Sequence, residues 1–152
     1  MSAEAYTLDT NILIYAVDPA EGWKHHVATE IVDRSIERSC ILTVQALAEF
    51  VAVATRRGMR SRAEAMAQAR DWLRVFPMVA ADSKALEAAY GAIEQARFGL
   101  FDALLLATAR QAGCTIALSE DMHHGAKLDG IEVRNPFADG ALADEVRPLI
   151  GL

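Results

Sequence analysis

The chain has 152 residues, enough to bury the core of one compact domain and too few for two ordinary ones. Hydrophobic residues make up 53% and charged residues 24%, which excludes a disordered chain, and no apolar run approaches the roughly 18 residues of a membrane span. The formal net charge of −6 argues against a nucleic-acid partner, but its distribution is uneven: Arg56, Arg57, Arg60, Arg62, Arg70 and Arg74 are offset locally only by Glu64 and Asp71.

Met1-Ser2-Ala3-Glu4 has no basic region leading into an apolar segment, so no secretion signal is expected. Ala5 to Leu8 reads as a short strand that stops at Asp9, and an apolar helical pattern runs from Ile12 to Val17. Asp18 to Gly22 is a loop by composition. Trp23 to Ser39 is expected to be an amphipathic helix with Val27, Ile31 and Ile36 inward. Cys40-Ile41-Leu42 is a buried strand, and Thr43 caps a helix whose apolar side carries Val44, Leu47, Phe50, Val51 and Ala54, ending near Gly58. Ser61 and Glu64 have capping-box spacing at the start of the next helix, which Pro77 stops after Phe76. Met78 to Ala80 is a strand, Ser83 to Ala96 a helix, and Phe98 to Phe101 a loop. Ala103 to Ala109 is apolar on nearly every face and predicts a deeply buried helix closed by Gly113. Thr115 to Leu118 is a strand, and Ile131 to Val133 is expected to be the last. Residues 1–137 are therefore read as a single domain and 138–152 as a tail, arm or frayed end. Cys40 and Cys114 sit beside apolar runs and read as reduced, buried thiols of a cytoplasmic protein, ahead of a disulfide or a catalytic role.

Alternating strands and helices predict a mostly parallel sheet with helices on both faces, a fold that binds ligands beyond the carboxyl ends of its strands. Four acids fall at that edge: Asp9 after the first strand, Glu49 two turns into the helix after the second, Asp102 at the start of the buried helix, and Asp121 after the strand ending at Leu118. For Asp9 and Asp102 the competing role is helix capping, and for Glu49 it is plain exposure. Carboxylates gathered in one pocket require counter-charge. Oxygen donors without a Cys/His ligand spacing suit Mg²⁺ or Mn²⁺ rather than structural zinc. Such ions activate water toward a phosphodiester, so the spacing points to an acidic metal site and, more weakly, to a nuclease.

Four segments together carry a resemblance. Asp9-Thr10-Asn11-Ile12-Leu13-Ile14-Tyr15-Ala16 resembles the opening motif of PIN domains, and Gln45-Ala46-Leu47-Ala48-Glu49-Phe50 resembles the helix bearing that family's glutamate. Phe101-Asp102-Ala103-Leu104-Leu105-Leu106-Ala107 is similar to the third motif and Leu118-Ser119-Glu120-Asp121-Met122 to the fourth. The resemblance spans about residues 5 to 137 and is strongest to the bacterial VapC-type toxins. It implies a three-layer α/β/α sandwich and an Mg²⁺- or Mn²⁺-dependent ribonuclease leaving a 5′-phosphate. It also implies a homodimer inhibited by an antitoxin protein that covers the acidic pocket; no membrane association is expected, because no long apolar run is present. By position, Asp9, Glu49, Asp102 and Asp121 would be catalytic metal ligands, directly or through water, with Thr10, Asn11 and Ser119 orienting them. Glu120 could take the place of Asp121, which the motif register favours. A PIN-like module that binds RNA or protein without cutting is the alternative, and the intact acidic set argues against it.

Other phosphotransferases fit poorly. A haloacid-dehalogenase-like site needs a second aspartate where Asn11 stands, and neither a Gly-rich phosphate loop nor a Gly-x-Ser-x-Gly turn is present. Arg56, Arg57, Arg60 and Arg62 read equally as contacts for RNA phosphate and as a solvated helix-helix turn, with antitoxin contact a third reading. His25-His26 reads as solvated surface, and His123-His124 lies close enough to Asp121 to reach substrate. Trp23 and Trp72 read as packing residues.

Overall fold

Short apolar strands separated by longer helices build the chain, and a computed structural model describes residues 4–95 and 98–152. In chain order the elements are β1 (Tyr6–Leu8), α1 (Thr10–Val17), α2 (Trp23–Ser35), β2 (Leu42–Thr43), α3 (Val44–Arg56), α4 (Arg62–Val75) and β3 (Met78–Val79). They continue with α5 (Ser83–Glu94), α6 (Leu100–Gln111), β4 (Ile116–Leu118), β5 (Lys127–Leu128), β6 (Ile131–Arg134), β7 (Phe137–Ala138) and β8 (Ala141–Leu142). Single 3-10 segments lie at Pro19–Glu21 and Asp144–Ile150.

β1 runs parallel to β4 with Leu8 opposite Leu118, and β4 parallel to β6 with Leu118 opposite Arg134, while β5 closes that edge antiparallel. β2 and β3 form a second parallel pair, joined to β1 by a one-residue bridge between Tyr6 and Cys40. Every residue of β1 and β4 is buried. Because successive strand side chains point to opposite faces, both faces of the sheet must be covered, which makes the three-layer α/β/α sandwich expected from the sequence.

Local chemistry sets the helix ends. Thr43 Oγ1 accepts from the Ala46 N–H at 3.1 Å, and Ser61 and Glu64 close a reciprocal capping box at 3.1 and 3.0 Å. Gly113, at φ +97°, turns the chain out of α6 so that the Cys114 N–H reaches the Ala109 carbonyl at 3.0 Å. Phe50 and Trp72 meet edge to face at 4.8 Å and lock α3 to α4, so Trp72 is a packing residue as read. The Arg60 guanidinium donates to the Val17 carbonyl at 2.7 Å and the Met59 carbonyl at 2.9 Å, tying the α3–α4 turn to the end of α1.

α2 ends at Ser35, and Ile36, expected inward, is 42% exposed beyond it. α6 begins at Leu100, inside the segment read as a loop, because Gly99 serves as its N-cap. β5 was not anticipated. The segment 138–152 is neither an arm nor a frayed end: β7 and β8 make a hairpin, the last 3-10 segment buries Val146 and Ile150 completely, and β8 and that segment pack against α2. Its apolar residues follow neither a two- nor a 3.6-residue period, and a 3-10 turn carries no such signal. The expected helical end at Ala96 and the reading of Met1-Ser2-Ala3 lie outside the described residues. Among the described residues no helix is long and apolar enough to cross a membrane.

Because Ile150 is fully buried, Ile150→Ala should cost about 2–5 kcal/mol of stability by chemical denaturation. An unchanged midpoint would show that the C-terminal segment does not stabilise the fold.

Candidate active site

The parallel register of β1 and β4 creates the site. With Leu8 opposite Leu118, the next residue of each strand, Asp9 and Ser119, emerges side by side, and the Asp9 N–H still donates to the Leu118 carbonyl at 2.9 Å. Asp9 Oδ1 accepts from the Thr10 N–H at 2.8 Å, so it does cap α1. Its Oδ2 accepts from Ser119 Oγ at 2.7 Å and from Asn11 Nδ2 at 3.1 Å. Capping and a site role are therefore shared between two oxygens of one carboxylate. Asn11 Oδ1 accepts from the Glu120 N–H at 3.2 Å, fixing the loop after β4 to the start of α1.

Glu49 is held from two sides. Thr10 Oγ1 lies 3.3 Å from its Oε2, and Gln45 Nε2 donates to its Oε1 at 2.9 Å. The same Gln45 amide donates to the Phe101 carbonyl at 3.0 Å, pinning the start of α6 against α3. Asp102 is the third residue of α6 and does not occupy its cap, which is Gly99. Asp9, Thr10, Asn11, Ile14, Tyr15, Glu49, Val53, Arg57, Asp102 and Asp121 line one cavity of about 170 Å³.

The structure thus brings all four expected acids to one cavity, together with Thr10 and Asn11, while Ser119 sits beneath it, buried and bonded to Asp9. Glu120 is directed elsewhere. It pairs with Lys24 Nζ at 2.6 Å and accepts from the Tyr15 hydroxyl at 2.5 Å, and it does not line the cavity. Burial works to raise its carboxyl, but the bonds from Lys24 and Tyr15 outweigh that and hold it below its ordinary range. Of the four arginines, Arg57 lines the cavity and Arg60 is committed to backbone carbonyls, while Arg56 and Arg62 are exposed away from it. His124 faces the C-terminal segment, accepting from the Asn135 N–H at 3.0 Å and lying 3.3 Å from Glu145. Gln45 and Tyr15 were not among the expected site residues. Gln45 had a readable signal, since it stands one helical turn before Glu49.

Burial pushes the Asp9 carboxyl up from 3.8 to about 6 against the lowering effect of Ser119 and Thr10, and Asp102 and Asp121 add to the rise. Asp102 is raised by burial and by Glu49 and Asp121. Such a pocket favours bound positive charge. Its donors are carboxylate, hydroxyl and amide oxygens, which suit a hard divalent cation. Among the described residues no three His, Cys, Asp or Glu side chains converge as a ready ligand set. That spread is compatible with Mg²⁺, which keeps several waters and takes one or two carboxylates directly.

Fold and site define a class, and the sequence agrees: the chain belongs to the PIN-domain family, whose model matches residues 6–126. Among solved structures it is similar to the Mycobacterium tuberculosis toxin VapC20, a sarcin–ricin loop cleaving toxin, at 19% identity and a TM-score of 0.61 over 74% of this chain and 87% of that one. A toxin–antitoxin complex from Klebsiella pneumoniae matches at 20% identity and a TM-score of 0.64, covering 88% and 98% of the two chains. VapBC2 from Rickettsia felis, bound to a promoter DNA fragment, matches at 14% and 0.60 over 86% and 98%. Among curated proteins no sequence matches significantly.

The raised Asp9 carboxyl has a pH consequence. The metal-free folded state binds this proton more tightly than the unfolded chain, so Asp9 costs stability as pH rises from about 4 through about 6, by roughly 3 kcal/mol when complete. The stability of Asp9→Asn relative to wild type, measured with chelator present, should therefore be greater near pH 7 than near pH 4.5. A pH-independent difference would show that Asp9 ionises normally.

Proposed function

We propose that the protein is a metal-dependent endoribonuclease, the toxin of a toxin–antitoxin pair. The observation that supports this best is the meeting of Asp9, Glu49, Asp102 and Asp121, from four separate parts of the chain, on one cavity at the carboxyl edge of a parallel sheet. In this reading these carboxylates hold Mg²⁺ or Mn²⁺ directly or through water. The cation, when bound, supplies charge stabilisation to a phosphodiester and lowers the pKa of water.

The chain's own residues then do three things. Ser119 and Asn11 donate to Asp9 Oδ2 and so fix which way that carboxylate faces, while Thr10 and Gln45 do the same for Glu49. Ile14 and Val53 give the cavity apolar walls, which strengthens every electrostatic contact inside it. Glu120, paired with Lys24, holds Tyr15 in place as a further wall rather than serving as a ligand. Asp121 takes the fourth acidic position. RNA as substrate, a 5′-phosphate product, a cytoplasmic location, an antitoxin that covers the cavity and a homodimeric state belong to this reading; of these, an antitoxin partner is supported by the toxin–antitoxin complexes of similar fold. Residues 1–137 form its nuclease unit, with 138–152 packed onto the same body.

With Mn²⁺ the purified protein should cleave single-stranded RNA, and Asp9→Asn or Asp102→Asn should lower the rate by at least about 100-fold with the fold intact by circular dichroism. Cleavage that persists in both variants would reject the assignment. Asp121→Asn should impair cleavage far more than Glu120→Gln; the reverse ranking would exchange their roles.

A further inference from the structure

The ten residues around the acidic cavity include one cation, Arg57. Glu49 and Val53 of α3 and Arg57, its C-cap, follow one another at four-residue intervals along one side, and all three line the cavity. Arg57 lies two turns past Glu49, its Cα about 12 Å further along the helix axis, and its side chain reaches the same cavity. Its side chain is exposed and, among the described residues, it enters no ion pair. Burial and the neighbouring acids raise the Asp9 and Asp102 carboxyls. Its neighbours in the basic segment differ: Arg60 is bonded to the carbonyls of Met59 and Val17, and Arg56 and Arg62 lie outside the cavity.

Arg57 is thus a guanidinium without an ion-pair partner in a cavity whose other charged groups are acids. A bare polyanion would be repelled by four carboxylates, and Arg57 supplies the one local attraction among the lining residues. Guanidinium is suited to this because its planar fork binds phosphate oxygens in pairs. A guanidinium cannot hold a cation, so within a site of carboxylates its target is the phosphate of the entering strand.

We propose that Arg57 is the substrate-positioning residue of this site, binding a backbone phosphate of RNA next to the phosphodiester that is cut. The inference rests on the ribonuclease reading. Arg57 also stands at the carboxyl end of α3, where a positive charge complements the helix dipole, and that role alone would affect stability but not RNA.

The test is RNA binding and cleavage by wild type, Arg57→Gln, Arg57→Lys and Arg60→Gln in Mn²⁺, across a series of salt concentrations. Arg57→Gln should raise KM about 10-fold with kcat nearly unchanged, and should reduce the slope of log affinity against log salt by about 0.7, the loss of one single-strand phosphate contact. Arg57→Lys should recover the salt slope, though not the full affinity. Arg60→Gln should lower the melting temperature and leave the salt slope as in wild type. If wild type binds and cleaves RNA but Arg57→Gln keeps its KM and salt slope, the assignment of Arg57 is wrong and the ribonuclease reading stands. The same holds if Arg57→Gln weakens only the binding of a protein partner. If wild type neither binds nor cleaves RNA, it is the ribonuclease reading that falls, and the Arg57 assignment with it.

Discussion

Parallel pairing of β1 with β4, Leu8 opposite Leu118, is the contact on which the acidic edge depends. It delivers Asp9 and Ser119 to the same point from positions 110 residues apart in the chain, and the 2.7 Å hydrogen bond between them holds the carboxylate in a buried place. A slip of one residue would turn each side chain to the opposite face of the sheet and separate the pair. The strands are only three residues long, so little in their own length enforces the register. The complete burial of Tyr6, Leu8, Ile116 and Leu118 does, because any slip would exchange their places in a close-packed core.

A buried carboxylate facing other acids is an unfavourable arrangement for a metal-free protein, and the structure shows how it is tolerated. Three donors, the Thr10 N–H, Ser119 Oγ and Asn11 Nδ2, converge on Asp9, yet its carboxyl remains raised to about 6. A set of groups that worked only for stability would have paired this charge with a lysine or arginine. Lys24 instead pairs with Glu120 outside the cavity, and Arg57 lines the cavity without entering an ion pair among the described residues. Among the described residues no ion pair joins either cation to a carboxylate of the cavity, which is the arrangement the proposed cation site requires.

Much of this was legible before the structure. Helix starts at Thr43 and Ser61 follow from capping chemistry that acts within four residues, and the deep burial of α6 follows from its apolar composition on nearly every face. The placement of Asp9, Glu49, Asp102 and Asp121 at one edge required only strand order and parallel direction. Less legible were features that depend on distant partners. The separation of Glu120 from Asp121 turns on Lys24 and Tyr15, and nothing in the local sequence says which neighbour faces the cavity. The packing of 138–152 was hidden because two short strands and a 3-10 segment carry no long period, and because the groove that receives them is made by α2.

The four carboxylates can be viewed in the same terms. By itself the sequence determined that acids stand at the ends of buried strands and at the head of a buried helix, because burial pattern and chain direction are local properties repeated along the chain. Tertiary structure decided how each is held: Asp9 by Ser119 and Asn11, Glu49 by Thr10 and Gln45, and Asp121 in the cavity with Glu120 outside it. It also decided that one arginine among four reaches the cavity. These outcomes depend on side chains brought together from as many as 110 positions apart, and hydrogen bonds act only over about 3 Å, a distance that only the folded backbone can set.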